Sequence, residues 1–276
     1  MSAVIMDGKA LAERIKGEIA NQVLNMNKKP ALGTILVGSD PGSIAYVDGK
    51  HRDCAQVGIK SIKMNLPDTA TTAQVLSAVE ELNKNPECTG FIVQLPLPKT
   101  VDTEKVLLAI DPNKDADGLN PINLGKFALG TGSIIPCTPK AIIALLNEYK
   151  VKLPGANVLI IGRGTTVGRP LSILLSQKPS NATVTLAHSA TSNLPELIKN
   201  ADIVVAAIGS AHFIKVGMIK TGAVVIDVGI TRTREGLLGD VDPQVALTAS
   251  VFAPMPGGVG PMTRAMLLTN LIELAK

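Results

Sequence analysis

Residues 157–170 read NVLIIGRGTTVGRP, and this stretch decides how the second half of the chain folds. The apolar run at residues 158–161 predicts a buried parallel strand. Gly162, Gly164 and Gly168 follow it, and glycine lets the backbone turn tightly into a helix. The free N–H groups at the start of such a helix bind phosphate well. The stretch therefore predicts a nucleotide-binding turn.

The residues after this turn indicate which nucleotide it would bind. The spacing GxGxxxG is weak evidence alone, because glycine-rich turns between a strand and a helix are frequent. An NAD site places Asp or Glu about 20 residues downstream, whereas the 2′-phosphate of NADP requires Arg or hydroxyl donors. Residues 163–195 contain no Asp or Glu, Arg163 lies in the turn, and the next strand ends in His188-Ser189. This chemistry favours NADP over NAD.

Composition limits the class of protein. A chain of 276 residues with 46% hydrophobic content can bury a large core and exceeds the usual single domain, so two lobes are expected. No apolar run is long enough to span a bilayer and residues 1–9 lack a signal-peptide pattern, which predicts a cytoplasmic protein without a membrane partner. The three cysteines are far apart and form no cluster with histidine, so neither disulfides nor a metal site are expected.

Charge and aromatic content address the ligand. The formal net charge of +4 comes from scattered Lys and Arg, and the chain has no Trp, two Tyr and four Phe. Nucleic-acid binding would need a basic tract or aromatic side chains on which bases can stack. We therefore expect a small anionic ligand and no nucleic acid.

The first half of the chain alternates predicted helices and strands. We expect helices at residues 7–25, 43–57, 72–85 and 102–110, with Ser43 as an N-cap, and strands at 31–37, 59–66 and 89–93. Residues 111–130 form a long, mostly irregular run that marks the boundary between lobes and a ligand cleft. This half is expected to be a three-layer α/β lobe.

Five polar side chains stand out in this half. Tyr46 and Lys50 are four residues apart and so share one face of the second helix, at the carboxyl side of a strand, where ligand sites of α/β proteins collect. Gln94 follows the third strand at the same level. Asp115 and Asp117 lie two apart in the irregular run, where a solvated turn and a functional site are equally plausible.

The second half continues the strand and helix alternation, which predicts a parallel doubly wound sheet. We expect strands at residues 183–187, 202–207, 223–228 and 250–253, and helices at 139–150, 168–177 and 193–200. Residues 231–239 are polar and are expected to form a mobile loop. The segment 254–261 is rich in Pro and Gly, so its use lies in close backbone approach or a sharp crossover. A last helix, starting at Met262 or Thr263, is expected to return to the first lobe.

Motifs along essentially the whole chain resemble the bifunctional methylenetetrahydrofolate dehydrogenase/methenyltetrahydrofolate cyclohydrolase family. They are YVDGKHRDCAQVGI from Tyr46, GFIVQLPLP from Gly90, KDADG from Lys114, IPCTPK from Ile135, GRGTTVGRP from Gly162 and PMPGGVGPMT from Pro254. QLPLP and PGGVGPMT are far more specific than a glycine turn. The resemblance implies two lobes: residues 1–120 completed by 256–276 would bind folate, and residues 121–255 would bind NADP.

The resemblance also implies an activity and its residues. Such enzymes oxidise 5,10-methylenetetrahydrofolate with NADP and hydrolyse the methenyl product to 10-formyltetrahydrofolate, in the one-carbon metabolism that supplies purine biosynthesis. The family's catalytic and folate-binding residues correspond to Tyr46, Lys50, Gln94 and Asp117. Its cofactor-binding positions correspond to Gly162, Arg163, Gly164, Val167, Gly168, Ser189 and Ile230. The family also implies a homodimer formed through the nucleotide-binding lobes.

Three positions depart from the usual family pattern. Gly164 stands where GRSxxVGxP has serine, which removes one hydroxyl near the cofactor. Met255 stands where PVPGG has valine, and Arg52 stands where lysine is more usual. The second change affects packing, and the third keeps the charge.

Alternative functions make different demands on the same residues. A dehydrogenase without appreciable cyclohydrolase activity would not need Lys50 to move a proton. A non-catalytic NADP-binding sensor would need none of Tyr46, Lys50, Gln94 and Asp117. An enzyme similar to shikimate dehydrogenase would need a Lys–Asp acid/base pair, and neither QLPLP nor PGGVGPMT suits it.

Overall fold

A computed structural model describes residues 2–234 and 236–276. The helices are α1 Gly8–Leu24, α2 Pro41–Gln56, α3 Thr72–Lys84, α4 Thr103–Ala109, α5 Pro121–Ala128, α6 Cys137–Glu148, α7 Gly168–Ser176, α8 Leu194–Asn200 and α9 Val259–Leu274, with a 3₁₀ helix at Pro243–Leu247. The strands are β1 Val4–Ile5, β2 Ala31–Val37, β3 Lys60–Leu66, β4 Gly90–Val93, β5 Asn157–Ile161, β6 Thr183–Ala187, β7 Ile203–Ala206, β8 Val224–Asp227, β9 Thr231–Thr233, β10 Gly236–Leu238 and β11 Val251–Ala253. The predicted mixed α/β fold with two units is confirmed.

The chain divides into two compact units. One contains residues 1–12 and 138–263, and the other contains residues 13–137 and 264–276. The division differs from the sequence-based one, which assigned 1–120 and 256–276 to one lobe and 121–255 to the other. The N-terminus belongs to the unit that contains the glycine turn, because β1 pairs in parallel with β11 and Val4 is matched with Val251. A pairing across almost the whole chain leaves no local signal in the sequence.

The larger sheet is entirely parallel and has the order β1-β11-β8-β7-β5-β6. β5 lies between β6 and β7, with Ile161 level with Ala187 on one side and with Ala206 on the other. The connections from β5 and from β6 therefore run in opposite directions across the sheet. Such a reversal opens a crevice at the carboxyl end of the strands, where α/β proteins bind ligands.

The smaller sheet has the order β3-β2-β4 and is also parallel. β2 is central and fully buried, as its apolar sequence ALGTILV requires. Residues 114–116 extend this sheet beyond β4, since Phe91 N donates to Lys114 O at 2.8 Å and Ala116 N donates to Phe91 O at 3.2 Å. The carboxyl ends of β2 and β4 thus meet at one edge, with residue 117 beside them.

Three local expectations are corrected by the structure. The run 111–130 is not irregular throughout, because α5 occupies Pro121–Ala128, with Asn120 as its cap and proline in its first turn. The N-cap of α2 is Asp40 rather than Ser43, since the Asp40 carboxylate accepts the Ser43 N–H at 2.7 Å. Residues 231–239 contain the antiparallel pair β9 and β10 in place of a loop, although Glu235 of that segment and Met1 lie outside the described residues.

Candidate active site

Lys50 is a buried lysine on α2, with 5% of its surface exposed. The helix starts directly after β2, so Lys50 lies two and a half turns into an element that leaves the carboxyl edge of the small sheet. Its Nζ donates a hydrogen bond to Gln94 Oε1 at 3.0 Å. The same nitrogen lies 4.6 Å from the centre of the Tyr46 ring, in a cation–π contact. The structure therefore brings Tyr46, Lys50 and Gln94 together.

Gln94 is held in the orientation that this contact requires. It follows β4, and its backbone N–H donates to Ile35 O at 2.8 Å, which continues the sheet by one residue. Its side-chain Nε2 donates to Leu95 O at 2.6 Å. With the amide nitrogen engaged there, the amide oxygen is the group that faces Lys50. Gln94 thus fixes the direction of the Lys50 amine.

Burial lowers the pKa of Lys50 below the usual lysine value, because an ammonium loses its hydration in this site. Arg264 acts in the same direction through charge repulsion. Asp117, Cys137 and Cys54 act in the opposite direction. A lysine with a lowered pKa has a larger fraction of neutral amine near neutral pH, which a proton acceptor requires.

The two carboxylates of the KDADG segment have different tasks. Asp115 is 1% exposed and accepts the N–H groups of Gly118 at 3.0 Å and Asn120 at 2.9 Å, as well as Asn123 Nδ2 at 3.0 Å. Burial raises its pKa. Asp117 is only partly buried and its charge is felt by Lys50. Asp115 therefore shapes the loop, and Asp117 is the carboxylate that belongs with the site.

In the other unit, two glycines of the turn after β5, Gly162 and Gly168, leave no room for a side chain. Gly162 has φ +111°, and a Cβ there would lie 2.2 Å from Ala207 O. A Cβ on Gly168 would lie 1.9 Å from Gly162 O. Among the described residues no side chain caps α7, whose N-cap position is Val167. Close-packed glycines at a helix start that has no side-chain cap fit a phosphate group of a bound dinucleotide.

The side chains predicted to discriminate between cofactors lie at the same edge of the large sheet. Gly162 N donates to Ala187 O at 2.9 Å, so Arg163 and Ser189 follow neighbouring strands at nearly the same level. Both are exposed, and Ile230, after β8, is 49% exposed. His188 has a structural use in this turn, because its Nδ1 accepts the Ala190 N–H at 3.2 Å.

Sequence reasoning missed a carboxylate that organises this edge. Asp240 is fully buried and accepts three successive N–H groups, from Ile208 at 2.6 Å, Gly209 at 3.1 Å and Ser210 at 2.7 Å. Asp227 in turn accepts the N–H of Asp240 at 2.8 Å, and burial raises the pKa of Asp227 to about 7. The only sequence signal was a pair of acidic residues within or just after apolar strands, where a carboxylate needs several donors.

Two further properties concern the described residues as a whole. No group of three or more His, Cys, Asp or Glu side chains among them could hold a metal ion. Within the same residues, none of the helices has the combined length and apolarity needed to cross a membrane.

A parallel sheet with a glycine turn before a helix that has no side-chain cap is typical of dinucleotide-binding α/β proteins. A buried lysine of lowered pKa is typical of enzyme active sites, so the class is a dinucleotide-dependent α/β enzyme. Residues 6–117 match the catalytic domain of tetrahydrofolate dehydrogenase/cyclohydrolase, and residues 136–276 match the NAD(P)-binding domain of the same enzymes. The chain belongs to the tetrahydrofolate dehydrogenase/cyclohydrolase family. It is an enzyme with two activities, a methylenetetrahydrofolate dehydrogenase and a methenyltetrahydrofolate cyclohydrolase.

Solved structures of similar proteins agree over nearly the whole chain. The bifunctional FolD dehydrogenase/cyclohydrolase of Campylobacter jejuni is 38% identical, with a TM-score of 0.95 and 99% of each chain covered. The 5,10-methylenetetrahydrofolate dehydrogenase of the silkworm Bombyx mori is also 38% identical, with a TM-score of 0.94 and coverage of 99% and 98%. The Trypanosoma brucei enzyme, solved with NADP and an inhibitor, is 36% identical, with a TM-score of 0.94 and coverage of 99% and 97%.

Proposed function

We propose that Lys50 is the proton-transfer residue of the cyclohydrolase step and that Gln94 holds its amine in position. The observation that carries this proposal is the 3.0 Å hydrogen bond from the buried Lys50 Nζ to Gln94 Oε1. A buried lysine with a neutral hydrogen-bond partner is not stabilised in its charged form as it would be by a carboxylate. Such an amine can accept and return a proton during a reaction near neutral pH.

The dehydrogenase step requires alignment of two rings rather than an acid or base. NADP, when bound, would supply the hydride acceptor, and loss of hydride from the methylene bridge would leave a stabilised cation on the folate. Tyr46 would stack on the aminobenzoyl ring, and Asp117 would accept hydrogen bonds from the amino groups of the pterin. Both residues therefore contribute by orienting the substrate.

The hydrolysis step needs a proton acceptor and a proton donor. A water molecule adds to the carbon of the methenyl cation while neutral Lys50 accepts one of the protons of that water. The resulting ammonium returns a proton to N5 as the bond between this carbon and N5 breaks. The second proton of the water is released to solvent when the formyl C=O forms on N10. The balance is one water consumed and one proton released.

NADP rather than NAD is the proposed cofactor. Arg163 and Ser189 offer a cation and a hydroxyl at the edge where a 2′-phosphate would be bound, and residues 163–195 contain no carboxylate to repel it. The related T. brucei enzyme was solved with NADP, which supports the same choice here. Turnover of 5,10-methylenetetrahydrofolate at equal concentrations of NADP and NAD tests it, and faster turnover with NAD would refute it.

The role of Lys50 is tested with Lys50→Met, which keeps the length of the side chain and removes the amine. Hydrolysis of methenyltetrahydrofolate should fall by roughly 10²–10⁴-fold, the usual contribution of general acid–base catalysis. Hydride transfer should persist, so methenyl product should accumulate. The matched control is Lys60→Met on β3, an exposed lysine whose loss should leave both rates unchanged. Unaltered hydrolysis in Lys50→Met would refute the proposal.

We also propose that the enzyme works as a homodimer in the cytoplasm and supplies 10-formyltetrahydrofolate to purine biosynthesis. The nucleotide-binding unit supports a dimer because it exposes several large apolar side chains, among them Phe213 at 36%, Val216 at 45% and Leu237 at 38%. Sedimentation of the purified protein should give about twice the chain mass of 28.7 kDa. A single-chain mass at micromolar concentration would refute the dimer.

A further inference from the structure

Asp53 is a buried carboxylate that contacts two cations. It lies on α2 three residues after Lys50 and is 5% exposed. Its Oδ1 is 2.9 Å from Lys16 Nζ, and its Oδ2 is 2.9 Å from Arg264 Nε. Lys16 has a second ion pair, with Glu13 at 2.7 Å, and a hydrogen bond to Gln56 Oε1 at 2.8 Å. Asp53 therefore pairs with both cations, and its Oδ2 is the oxygen that holds the Arg264 guanidinium.

The position of Arg264 depends on a glycine of α2. A Cβ placed on Gly49 would lie 2.3 Å from Arg264 Nη1, so the guanidinium occupies the space that a side chain would take. Gly49 directly precedes Lys50. Glycine costs up to about 1 kcal/mol relative to alanine inside a helix, so its use here calls for a reason. Close approach of a cation to the backbone beside Lys50 is such a reason.

Several groups from different elements face Lys50, and their charges oppose each other. On α2 itself these groups are Tyr46 and Cys54. Gln94 lies at the end of β4, and Asp117 follows the segment 114–116. Cys137 lies at the start of α6, and Arg264 lies on α9. Asp117 favours the ammonium form of Lys50, and Arg264 disfavours it. Burial is the largest influence on the pKa of Lys50, and Arg264 adds to its lowering effect while Asp117 opposes it.

We propose that Arg264 is a positioning residue for hydrolysis: seated over Gly49 by Asp53, its guanidinium keeps the Lys50 amine in the neutral form that accepts a proton from water. The inference rests on the proposed role of Lys50. It adds a second residue and explains why a fixed positive charge lies beside a lysine that must act as a base. An arginine is suited to this because the guanidinium group is a permanent cation in proteins.

The test is the pH dependence of the two activities in Arg264→Gln. Loss of the charge should move the acidic limb of the cyclohydrolase profile upward by about 0.5–1 pH unit, which corresponds to about a 3–10-fold loss of kcat below the limb. The rate on the alkaline plateau should match that of the wild type, and the dehydrogenase profile should not move. Arg264→Lys keeps a cation and should restore most of the profile. Arg14→Gln removes an exposed arginine of α1 and should leave the profile unchanged.

Gly49→Ala provides a second test that changes no charge. The added methyl group displaces Arg264 Nη1, so the acidic limb should move in the same direction by a smaller amount. Alanine also favours the helix, so this variant should fold even if Arg264→Gln does not. An unmoved profile in folded Gly49→Ala and Arg264→Gln would overturn the inference.

Other outcomes separate this inference from the proposed function. If Lys50→Met hydrolyses at the wild-type rate, the role of Lys50 fails, and the Arg264 inference fails with it. If Lys50→Met loses hydrolysis while Arg264→Gln only raises KM at every pH, Arg264 binds an anionic part of the substrate. That result would overturn the inference alone and leave the role of Lys50 intact.

Discussion

The helices α2 and α7 occupy equivalent places in their two sheets but differ in how they contribute to function. α2 contributes side chains, whereas α7 contributes the backbone at its start. Each follows a central parallel strand, β2 or β5, at a point where the strand order reverses. The first turn of α2 is capped by a side chain, because the Asp40 carboxylate accepts the Ser43 N–H. The first turn of α7 begins after Val167 with no capping side chain among the described residues. Its Arg169 N–H donates to Gly164 O at 3.1 Å and Pro170 has no N–H, so the backbone of the glycine turn itself forms the helix start. In α2 the capped start leaves the functional role to side chains further along the helix. In α7 the start without a side-chain cap can present its backbone to an anion.

The difference predicts how each region can be damaged. Around Lys50, function should be lost when a side chain is removed, since the proposed working groups are the amine, the Gln94 amide and the Arg264 guanidinium. Around Gly168, function should be lost when a single carbon is added, since the backbone of the turn is too closely packed to admit a side chain.

Gly168→Ala should produce the largest effect in the nucleotide-binding unit. Its Cβ would lie 1.9 Å from the backbone oxygen of Gly162. A backbone atom cannot rotate away as a flexible side chain can, so the turn must move. We expect a loss of about 1–3 kcal/mol of unfolding free energy, as for other overpacked sites. We also expect NADP affinity to fall on the order of a hundredfold, equivalent to about 2.8 kcal/mol. Denaturant unfolding and NADP titration measure the two effects.

Gly164→Ala is the matched control for this substitution. No described atom lies within 4 Å of a Cβ at this position, and its φ lies outside the left-handed region. Stability and NADP affinity should therefore stay close to the wild type. Equal damage from the two alanines would mean that the turn needs flexibility rather than space.

Local sequence signals explain what could be predicted of these two regions. The strands at Ala31–Val37 and Thr183–Ala187 have the bounds expected from the sequence, because a run of apolar or β-branched residues between turn residues is a local property. Tyr46, Lys50 and Gln94 could be identified because each follows a predicted strand at the edge where parallel strands end. The start of α5 at Asn120-Pro121 also has a local signal, since Asn caps helices and proline occupies first turns. The helix was not predicted because turn-forming residues surround this signal.

Long-range packing explains what could not be predicted. The pairing of β1 with β11 and the contact of Arg264 with Asp53 join residues more than 200 positions apart. The difference between Asp115 and Asp117 depends on which carboxylate receives the N–H groups of the loop, which periodicity does not reveal. Strand order, which creates the crevice in each sheet, is likewise a property of the folded chain.

The cost of burying a titratable group beside Lys50 should appear as a pH-dependent stability. His51 is 7% exposed, and burial together with nearby Lys63 lowers the pKa of His51 to about 4. The pKa of His51 in the folded state lies below the unfolded value of about 6.5. The contribution of neutral His51 to the free energy of unfolding is therefore complete above pH 6.5 and is lost as the pH falls toward 4. At pH 5 this loss is about 2 kcal/mol. In His51→Gln, which can still reach Thr34 Oγ1, the loss should disappear.

Comparing the free energy of unfolding of His51→Gln with that of the wild type separates the effect of His51 from that of Asp227. The raised pKa of Asp227, about 7, gives a contribution of opposite sign that declines as the pH rises from about 4 to 7, but it is present in both proteins. Urea unfolding at several values from pH 5 to 8 provides the data. His212→Asn removes a histidine at a left-handed turn position and should keep the wild-type slope. An unchanged slope in His51→Gln would mean that His51 is not the group responsible.

Gly164→Ser should produce the smallest effect and bears on cofactor choice. Serine fits this position because no described atom lies within 4 Å of the added Cβ, and stability should change by less than about 0.5 kcal/mol. If the restored hydroxyl donates to the 2′-phosphate, NADP affinity should rise about 2–5-fold, the gain from one net hydrogen bond of about 0.5–1 kcal/mol. NAD affinity, measured by the same titration, should not change, and Gly164→Ala should behave as the wild type. An equal gain for both cofactors would instead place the hydroxyl at the pyrophosphate, and Arg163 and Ser189 would then carry the discrimination alone.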